Sequence, residues 1–461
     1  MSIKAYALTS RRSFVRSVSY GFGAVAFAAL SQRETRAAGE SPLAVKPPHF
    51  TPRAKRVLML TMEGGPSHVD MFDDKPELAK QAGKSIGKGR VPNGKLLPSP
   101  WKFQQAGESG LAISDLYSEL RQHADKLCMI HSMQTEIPAH PPAFIQMHTG
   151  ISSSPRPSMG AWVLYGLGTE NANLPGFVTI SPPVNVGGSS NYGSAFLPAV
   201  FQGTKIGSNR QPIARAQVAN LQSPRSQAAQ EEQLAFIRSL NVSAEERSPR
   251  NPFIEGLMEA HELAYRMQGE LPPVIDLSRE SAVTQSQYGI GSADTEDFGR
   301  QCLMARRLLE AGVRFVEVCH GGWDQHRNLQ ADHARHARAT DQPIAGLLTD
   351  LAERGLLNDT LVLWGGEFGR TPYAQTEDGR DHNHTGFTTW MAGGGVRGGL
   401  RYGATDEFGY EAVENPVPIH DWHATILHLL GLDHERLTFR HAGREMRLTD
   451  VKGHVHDGIL A

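Results

Sequence analysis

Short runs of consecutive apolar residues, each followed by a polar loop that contains glycine, recur along this chain. Such runs predict buried strands at 56–62, 127–132, 176–180, 313–319 and 361–364. Segments with apolar residues three or four positions apart predict helices at 111–124, 160–167, 298–310, 341–353 and 421–430, and a loop and helix start at 140–150. Buried strands that alternate with helices are typical of a largely parallel α/β sheet covered on both faces.

Residues 203–289 interrupt this alternation. The segment is rich in Gln, Arg, Glu and Ala, has helical periodicity and shows few strand signals. We interpret it as a helical insertion in, or a cap on, a main domain that spans residues 56–461. The Pro-rich, polar residues 39–55 form a linker that precedes this domain.

Acidic residues and histidines follow three of the predicted strands. They are Ser67, His68 and Asp70 after the first strand, Asp324 and His326 after the fourth, and Glu367, His382 and His384 after the fifth. Because ligands of open α/β sheets bind beyond the carboxyl ends of the strands, these side chains define a candidate site. Ser67 and His68 are adjacent on an extended segment and point apart, which argues against a serine-hydrolase triad.

Carboxylates and imidazoles without clustered thiolates favour a divalent metal: Zn²⁺, Mn²⁺, Mg²⁺ or Ca²⁺. We expect Asp324, His326 and Glu367, together with the downstream histidines His382 and His384, to hold it. Such an ion polarises an anionic ester or lowers the pKa of a bound water. Arg370 has two interpretations, as a group that neutralises an oxyanion or as a structural salt bridge. His333 and His336, one helical turn apart, predict a solvated helix face.

The first 38 residues have the pattern of an export signal. SRRSF at 10–14 resembles the twin-arginine signature, and it is followed by a short apolar segment at about 20–30 and by small residues near 37–38. We therefore expect the twin-arginine export machinery as a partner and a periplasmic or cell-surface location. The apolar segment is short for a membrane span, and we expect none in the mature chain.

Charge excludes one class of partner. The whole chain has a net charge of −2, and the part after residue 38 holds 40 Lys and Arg against 47 Asp and Glu, a net charge of −7. Because nucleic-acid binding favours a basic face, we expect no nucleic-acid partner.

Five motifs resemble those of a family of exported bacterial proteins, domain of unknown function 1501. They are GGPSHVDMFD, RPSMGAWVLYGLGTEN, GGWDQH, GEFGRTP and GRDHNHTGF, and the resemblance extends over nearly the whole chain from Arg56 onward. The family is in turn similar to the alkaline phosphatase and sulfatase superfamily. That similarity implies a three-layer, metal-binding α/β/α sandwich of the alkaline-phosphatase type with a helical insertion.

The resemblance also implies roles for single residues. His140 stands where sulfatases carry the Cys or Ser nucleophile, with Thr149 and Gly150 at the matching distance. His140 is accordingly a candidate metal ligand or a nucleophile that accepts a phosphoryl group, and direct attack by a metal-bound water is a further alternative. Glu367 falls at a metal-ligand Asp, and Asp70 or Glu63 is nearest to the Asp pair that follows the first strand.

Two functions follow from these residues and this resemblance. The first is an exported, metal-dependent hydrolase of phosphate or sulfate esters, acting on an anionic small molecule or glycan. The alternative is a non-catalytic metal- or carbohydrate-binding protein of the cell surface on a degenerate sulfatase-like scaffold. The histidine at the nucleophile position motivates this second hypothesis.

Overall fold

The computed structural model describes residues 41–87, 91, 93–216, 218, 221, 223–245, 251–376 and 378–461. The predicted signal at 1–38 lies outside these residues. The strands are β1 (Arg56–Met62), β2 (Phe103–Ala106), β3 (Leu111–Ser114), β4 (Leu127–Gln134), β5 (Phe177–Ile180), β6 (Thr204–Ile206), β7 (Phe315–His320), β8 (Thr360–Gly365), β9 (Gly369–Ala374), β10 (Arg380–Asn383), β11 (Phe387–Ala392), β12 (Leu400–Tyr402), β13 (Ala404–Thr405), β14 (Ala412–Glu414), β15 (Val417–Pro418), β16 (Phe439–His441) and β17 (Arg444–Met446).

The helices alternate with these strands. They are α1 (His68–Met71), α2 (Pro76–Lys80), α3 (His140–Thr149), α4 (Met159–Leu167), α5 (Gln227–Glu245), α6 (Pro252–Ile275), α7 (Ala282–Gln287), α8 (Glu296–Glu310), α9 (Leu329–Glu353) and α10 (Ile419–Leu429).

A nine-stranded sheet forms the centre of the described structure. Its order is β12-β4-β11-β8-β1-β7-β5-β6, with β15 also paired to β4. The five strands from β8 to β6 are parallel, and β11 is antiparallel to both of its neighbours. β1 lies between β7 and β8, and six of its seven residues are buried, which is why it forms a continuous apolar run.

Helices cover both faces of the sheet. On one face, Glu317 of β7 contacts His148 of α3, and Phe177 of β5 packs against Gly160 of α4. Successive side chains of a strand point to opposite faces, so His320, three positions after Glu317, lies on the other face. There it contacts Phe298 of α8. The α9 helix packs beside α8 on that second face. The fold is therefore the predicted α/β/α sandwich.

The five predicted strands are confirmed, but the helix predicted at 111–124 is wrong. Residues Leu111–Ser114 form β3, which pairs with β2, and Leu120–Lys126 form a 3₁₀ helix. Leu111 and Ile113 are both buried on one side of the hairpin, so the local apolar period is two and not 3.6. In the predicted insertion, β6 pairs with β5 and α5 to α7 follow; its role as a cap stays a prediction.

Leu60 offers a test of how much the centre of the sheet contributes to stability. Its side chain is fully buried in β1, level with Val318 and Trp364 of the neighbouring strands. We expect Leu60→Ala to lower the free energy of unfolding by about 2 to 5 kcal/mol, because the neighbours cannot fill the cavity. Urea unfolding measures this loss. The control Val283→Ala, at a side chain that is 79% exposed, should change it by less than about 0.5 kcal/mol; equal effects would contradict the prediction.

Candidate metal centre

The candidate site lies where three neighbouring strands end. The loops after β1, β7 and β8 meet there, since these strands are parallel and adjacent in the sheet. The first residue of α3 and the β9–β10 hairpin complete it from the side. This is the edge of the sheet at which the sequence predicts a ligand site.

Four side chains converge at this edge, namely His140, Asp324, His326 and His382. Each offers one ligand atom, and these atoms all lie within 4.8 Å of one another. Asp324 Oδ1 lies 2.8 Å from His326 Nε2, 3.1 Å from His140 Nε2 and 3.3 Å from His382 Nε2. The Nε2 atoms of His326 and His382 are 2.9 Å apart. We call these four residues the ligand cluster.

The orientation of the three rings fits a cation. Each Nδ1–H donates to an oxygen outside the cluster: His140 to Glu367 Oε1 at 2.6 Å, His382 to Pro138 O at 2.8 Å, and His326 to Gln375 Oε1. With Nδ1 fixed in this way, a neutral ring directs its Nε2 lone pair into the cluster, whereas a protonated ring directs an N–H there, toward Asp324 Oδ1. Metal-binding histidines are commonly fixed in this way through the second ring nitrogen.

The cluster also attracts positive charge. Burial disfavours the imidazolium of His140, but the carboxylates of Asp324 and Glu367, one beside each ring nitrogen, outweigh burial and raise the pKa of His140 to about 9. Buried His140 Nε2 makes no hydrogen bond of good geometry although Asp324 is 3.1 Å away. A divalent cation held there would satisfy this nitrogen in place of the proton. The residues present therefore fit a metal ion.

Glu367, predicted as a ligand, lies one layer behind the cluster. Its carboxylate is fully buried and accepts the Gly64 N–H at 3.1 and 3.2 Å, in addition to the bond from His140. It is held by the loop after β1 and contacts Nδ1 of His140, the ring nitrogen that points away from the cluster. In this position Glu367 orients His140 and increases its basicity.

Arg370 is buried, and each of its three guanidinium nitrogens donates a hydrogen bond. The guanidinium donates to Asp324 Oδ1 at 2.6 Å, to Gly65 O at 2.8 Å, to Arg380 O at 3.2 Å and to Gly64 O. This is the salt-bridge arrangement, one of the two interpretations of Arg370 from the sequence. Burial alone would raise the pKa of Asp324, but hydrogen bonds with the three histidines, and then the charge of Arg370, hold it well below its ordinary value.

Asp70 and His384 are not brought into the cluster. Asp70 is fully buried and forms two bonds with the Arg380 guanidinium, at 2.7 and 3.0 Å, and one with Ser67 Oγ. This pair ties α1 to the hairpin that carries His382. His384 follows β10 and lines a neighbouring cleft together with His420 and other residues.

Glu63, one of the two candidates for the acidic position after the first strand, lies beside the cluster. Burial, with the nearby Glu367 carboxylate, raises the pKa of Glu63 to about 7. Its carboxylate occupies the space that a side chain at Gly321 would fill, since an added Cβ there would lie 2.4 Å from Glu63 Oε2. The position directly after β1 is the sequence signal for this residue.

His333 and His336 do not form the solvated face that their spacing predicts. Both are buried, and the ring of Trp323 lies between them with centroids 5.3 Å from each. Desolvation lowers the pKa of His333 to about 3 and that of His336 to about 4, so both are neutral. His333 Nε2 accepts the Ser67 N–H at 3.0 Å and thereby supports the loop after β1.

The fold and cluster together describe an α/β/α protein with a candidate metal centre at the carboxyl edge of its sheet. Residues 54–460 match the model of a family described as "Protein of unknown function (DUF1501)". The chain belongs to this family, as its motifs predict. A search of the curated proteins finds no match.

The solved structures that resemble this chain include a sulfatase, an alkaline phosphatase and a lipoteichoic acid synthase. The PsFucS1 sulfatase from Pseudoalteromonas sp. is 13% identical, over 83% of this chain and 69% of that chain, with a TM-score of 0.35. The alkaline phosphatase from the Antarctic bacterium TAB5 is 10% identical, over 82% and 98%, with a TM-score of 0.34. The lipoteichoic acid synthase LtaP from Listeria monocytogenes is 8% identical, over 88% and 78%, with a TM-score of 0.37. These likenesses are loose, and the layered fold follows from the sheet and helices above. Among the described residues, no helix has the length and hydrophobicity needed to cross a bilayer.

Gly64 allows the loop after β1 to approach the loop after β7. It has φ +118, and a Cβ there would lie 2.7 Å from the backbone nitrogens of Trp323 and Asp324. Gly291 has a similar φ of +104 with nothing within 4 Å of its Cβ position. We expect Gly64→Ala to destabilise the protein by about 1 to 3 kcal/mol more than Gly291→Ala, because only the former forces two backbones apart. Urea unfolding of both variants tests this, and equal losses would contradict it.

Proposed function

We propose that this protein is an exported, metal-dependent hydrolase of phosphate or sulfate esters whose metal ion is held by the ligand cluster. One observation carries the proposal: three imidazole Nε2 atoms and one carboxylate oxygen converge while every Nδ1 is fixed by an acceptor outside the cluster. Support for export comes from the twin-arginine pattern in residues 1–38.

The donor set narrows the metal. Three nitrogens and one oxygen favour Zn²⁺ or another transition metal, whereas Ca²⁺ and Mg²⁺ prefer oxygen ligands. Ligand atoms about 2.1 Å from a zinc ion lie roughly 3.4 Å apart in a tetrahedron. The closest contacts within the cluster, from 2.8 to 3.3 Å, are near this spacing. A divalent metal bound there supplies Lewis acidity and lowers the pKa of a coordinated water.

The residues around the metal have separate tasks in this proposal. His140 serves as a ligand and not as a nucleophile, since Glu367 fixes one of its nitrogens and the other faces Asp324. Arg370 positions Asp324, as each of its guanidinium nitrogens donates within the protein. The side chains of Asp324 and His326 are 44% and 32% exposed, which gives an anionic ester access to the cluster.

A binding protein without turnover is the second candidate. The observation that favours it is the same arrangement of His140, because the residue at the sulfatase nucleophile position is engaged by two carboxylates. Such a protein binds a metal, and an anionic glycan through it, without cleaving an ester. Metal binding is common to both candidates, so turnover is the property that separates them.

Metal content is the first test. We expect protein purified without a chelator or His tag to contain nearly one equivalent of metal by plasma mass spectrometry. Asp324→Ala and His382→Ala should each lose it, because each removes a ligand atom from the cluster. His261→Ala removes an exposed histidine of α6 and should leave the content unchanged.

A second control separates metal binding from stability. Asp70→Asn leaves the Arg380 guanidinium buried without its carboxylate, and we expect a loss of about 3 to 5 kcal/mol in stability. Its metal content should fall less than that of Asp324→Ala, since Asp70 lies outside the cluster and acts on His382 only through the hairpin. Full metal content in Asp324→Ala, or a greater loss of metal in folded Asp70→Asn than in Asp324→Ala, would contradict the assignment.

Ester hydrolysis is the decisive test between the two candidates. We expect the metal-loaded protein to hydrolyse members of a panel of aryl and glycan phosphate and sulfate esters. In His382→Ala the rate should fall at least about 100-fold, because metal ions supply several kcal/mol of transition-state stabilisation. His261→Ala should match the wild type. Stoichiometric metal with no turnover of any ester would favour the binding protein instead.

A further inference from the structure

A carboxylate is buried in the middle of the sheet, beneath the face that α3 covers. Glu317 of β7 is 1% exposed. Its oxygens accept hydrogen bonds from Thr61 Oγ1 of β1 at 2.9 Å, from Thr179 Oγ1 of β5 at 2.8 Å and from His148 Nε2 of α3 at 2.6 Å. Three central strands and one helix therefore meet at a single side chain.

Glu317 and His148 form an ion pair. The second nitrogen of His148, Nδ1, donates to Phe144 O at 2.7 Å, so both ring nitrogens act as donors. Burial alone would raise the pKa of Glu317 and lower that of His148, but the opposite charge of each partner reverses both shifts. The pair is thus charged although it is shielded from solvent.

The same helix supplies a residue of the ligand cluster. His140 is the first residue of α3, and Phe144 and His148 follow at intervals of four, so the three share one face of the helix. Phe144 is fully buried between them. The residue before the helix, Ala139, provides no side-chain cap, and Pro141 and Pro142 occupy the first turn. The bond between His148 and Glu317 is therefore one of the described contacts that fix the rotation of α3 on the sheet.

Stability alone does not account for a charged pair at this place. Removing two charges from water costs several kcal/mol per ion, and replacement of such pairs by apolar residues is often neutral or stabilising. Unlike an apolar contact, the pair specifies one position of the helix. The bond from His148 Nδ1 to Phe144 O fixes the ring on its own helix, and the bond from His148 Nε2 to Glu317 Oε1 then fixes the ring on the sheet.

We propose that the Glu317–His148 ion pair is a positioning pair that sets the placement of α3 on the sheet and so delivers His140 Nε2 to the ligand cluster. The inference rests on the proposed metal centre for its functional meaning. It predicts that the pair can be removed with little loss of fold but with loss of metal affinity.

The test compares an apolar replacement with a conservative one. In Glu317→Met/His148→Leu we expect Zn²⁺ affinity, measured by competition with a chromophoric chelator, to fall about 10- to 100-fold, the range seen when residues that orient metal ligands are changed. Glu317→Gln can still accept from a threonine and donate to neutral His148, and its affinity should stay close to that of the wild type. Hydrogen exchange of residues 143–150 in the metal-free protein should be faster in the double variant only.

Asp350→Asn is the matched control. Asp350 is also a buried carboxylate, bonded to Arg306, Arg354 and Tyr288 on the opposite face of the sheet. This variant should lose thermal stability without losing Zn²⁺ affinity, which separates positioning from general destabilisation.

Several outcomes would overturn the inference. Wild-type Zn²⁺ affinity in the folded double variant is one of them. If the double variant does not fold, Glu317→Asp serves in its place, because it withdraws the carboxylate from His148 but keeps its charge. Wild-type Zn²⁺ affinity in Glu317→Asp would then overturn the inference. A wild-type protein that binds no metal would refute the proposed function. In that case unchanged hydrogen exchange of α3 would separately refute the positioning role.

Discussion

The structure depends on one carboxylate oxygen on which three imidazole nitrogens and one guanidinium converge. Asp324 Oδ1 lies within 3.3 Å of three imidazole nitrogens and of the Arg370 guanidinium. These groups come from the start of α3, the loop after β7 and the β9–β10 hairpin. If the carboxylate is displaced, the histidines face one another with no shared partner. Much of the surrounding structure therefore serves to keep these segments in place.

Buried polar groups beneath the cluster provide that support. Glu367 fixes the ring of His140, the Asp70–Arg380 pair fixes the hairpin, and Arg370 fixes Asp324. Each of these contacts joins a residue after one strand to a residue of another segment. A set of long-range polar contacts costs desolvation energy but leaves few alternative arrangements, which suits a centre whose ligand atoms must meet within a few tenths of an ångström.

The sequence predicts the strands well because buried parallel strands are continuous apolar runs, as in β1 and β8. It also brings Asp324 and His326 to the correct edge, since both directly follow β7. It does not distinguish His382 from His384, because β10 contains a bulge after Arg380 and ends at Asn383. Nor does it show that Glu367 faces the back of His140, as this depends on where α3 packs. Local patterns determine elements, whereas the choice among nearby ligands depends on tertiary contacts.

The ligand residues are distant along the chain, and this affects the order in which the protein can mature. His140 and His382 are separated by more than 240 positions. Bringing them together costs the entropy of closing a long loop, and the folded sheet must offset this cost before one metal ion can bind both residues. A chain whose synthesis has not passed β10 lacks part of the cluster. Under the proposed function, metal loading would therefore follow folding, and a transport route that carries folded proteins would allow the ion to be chosen in the compartment where the chain is made.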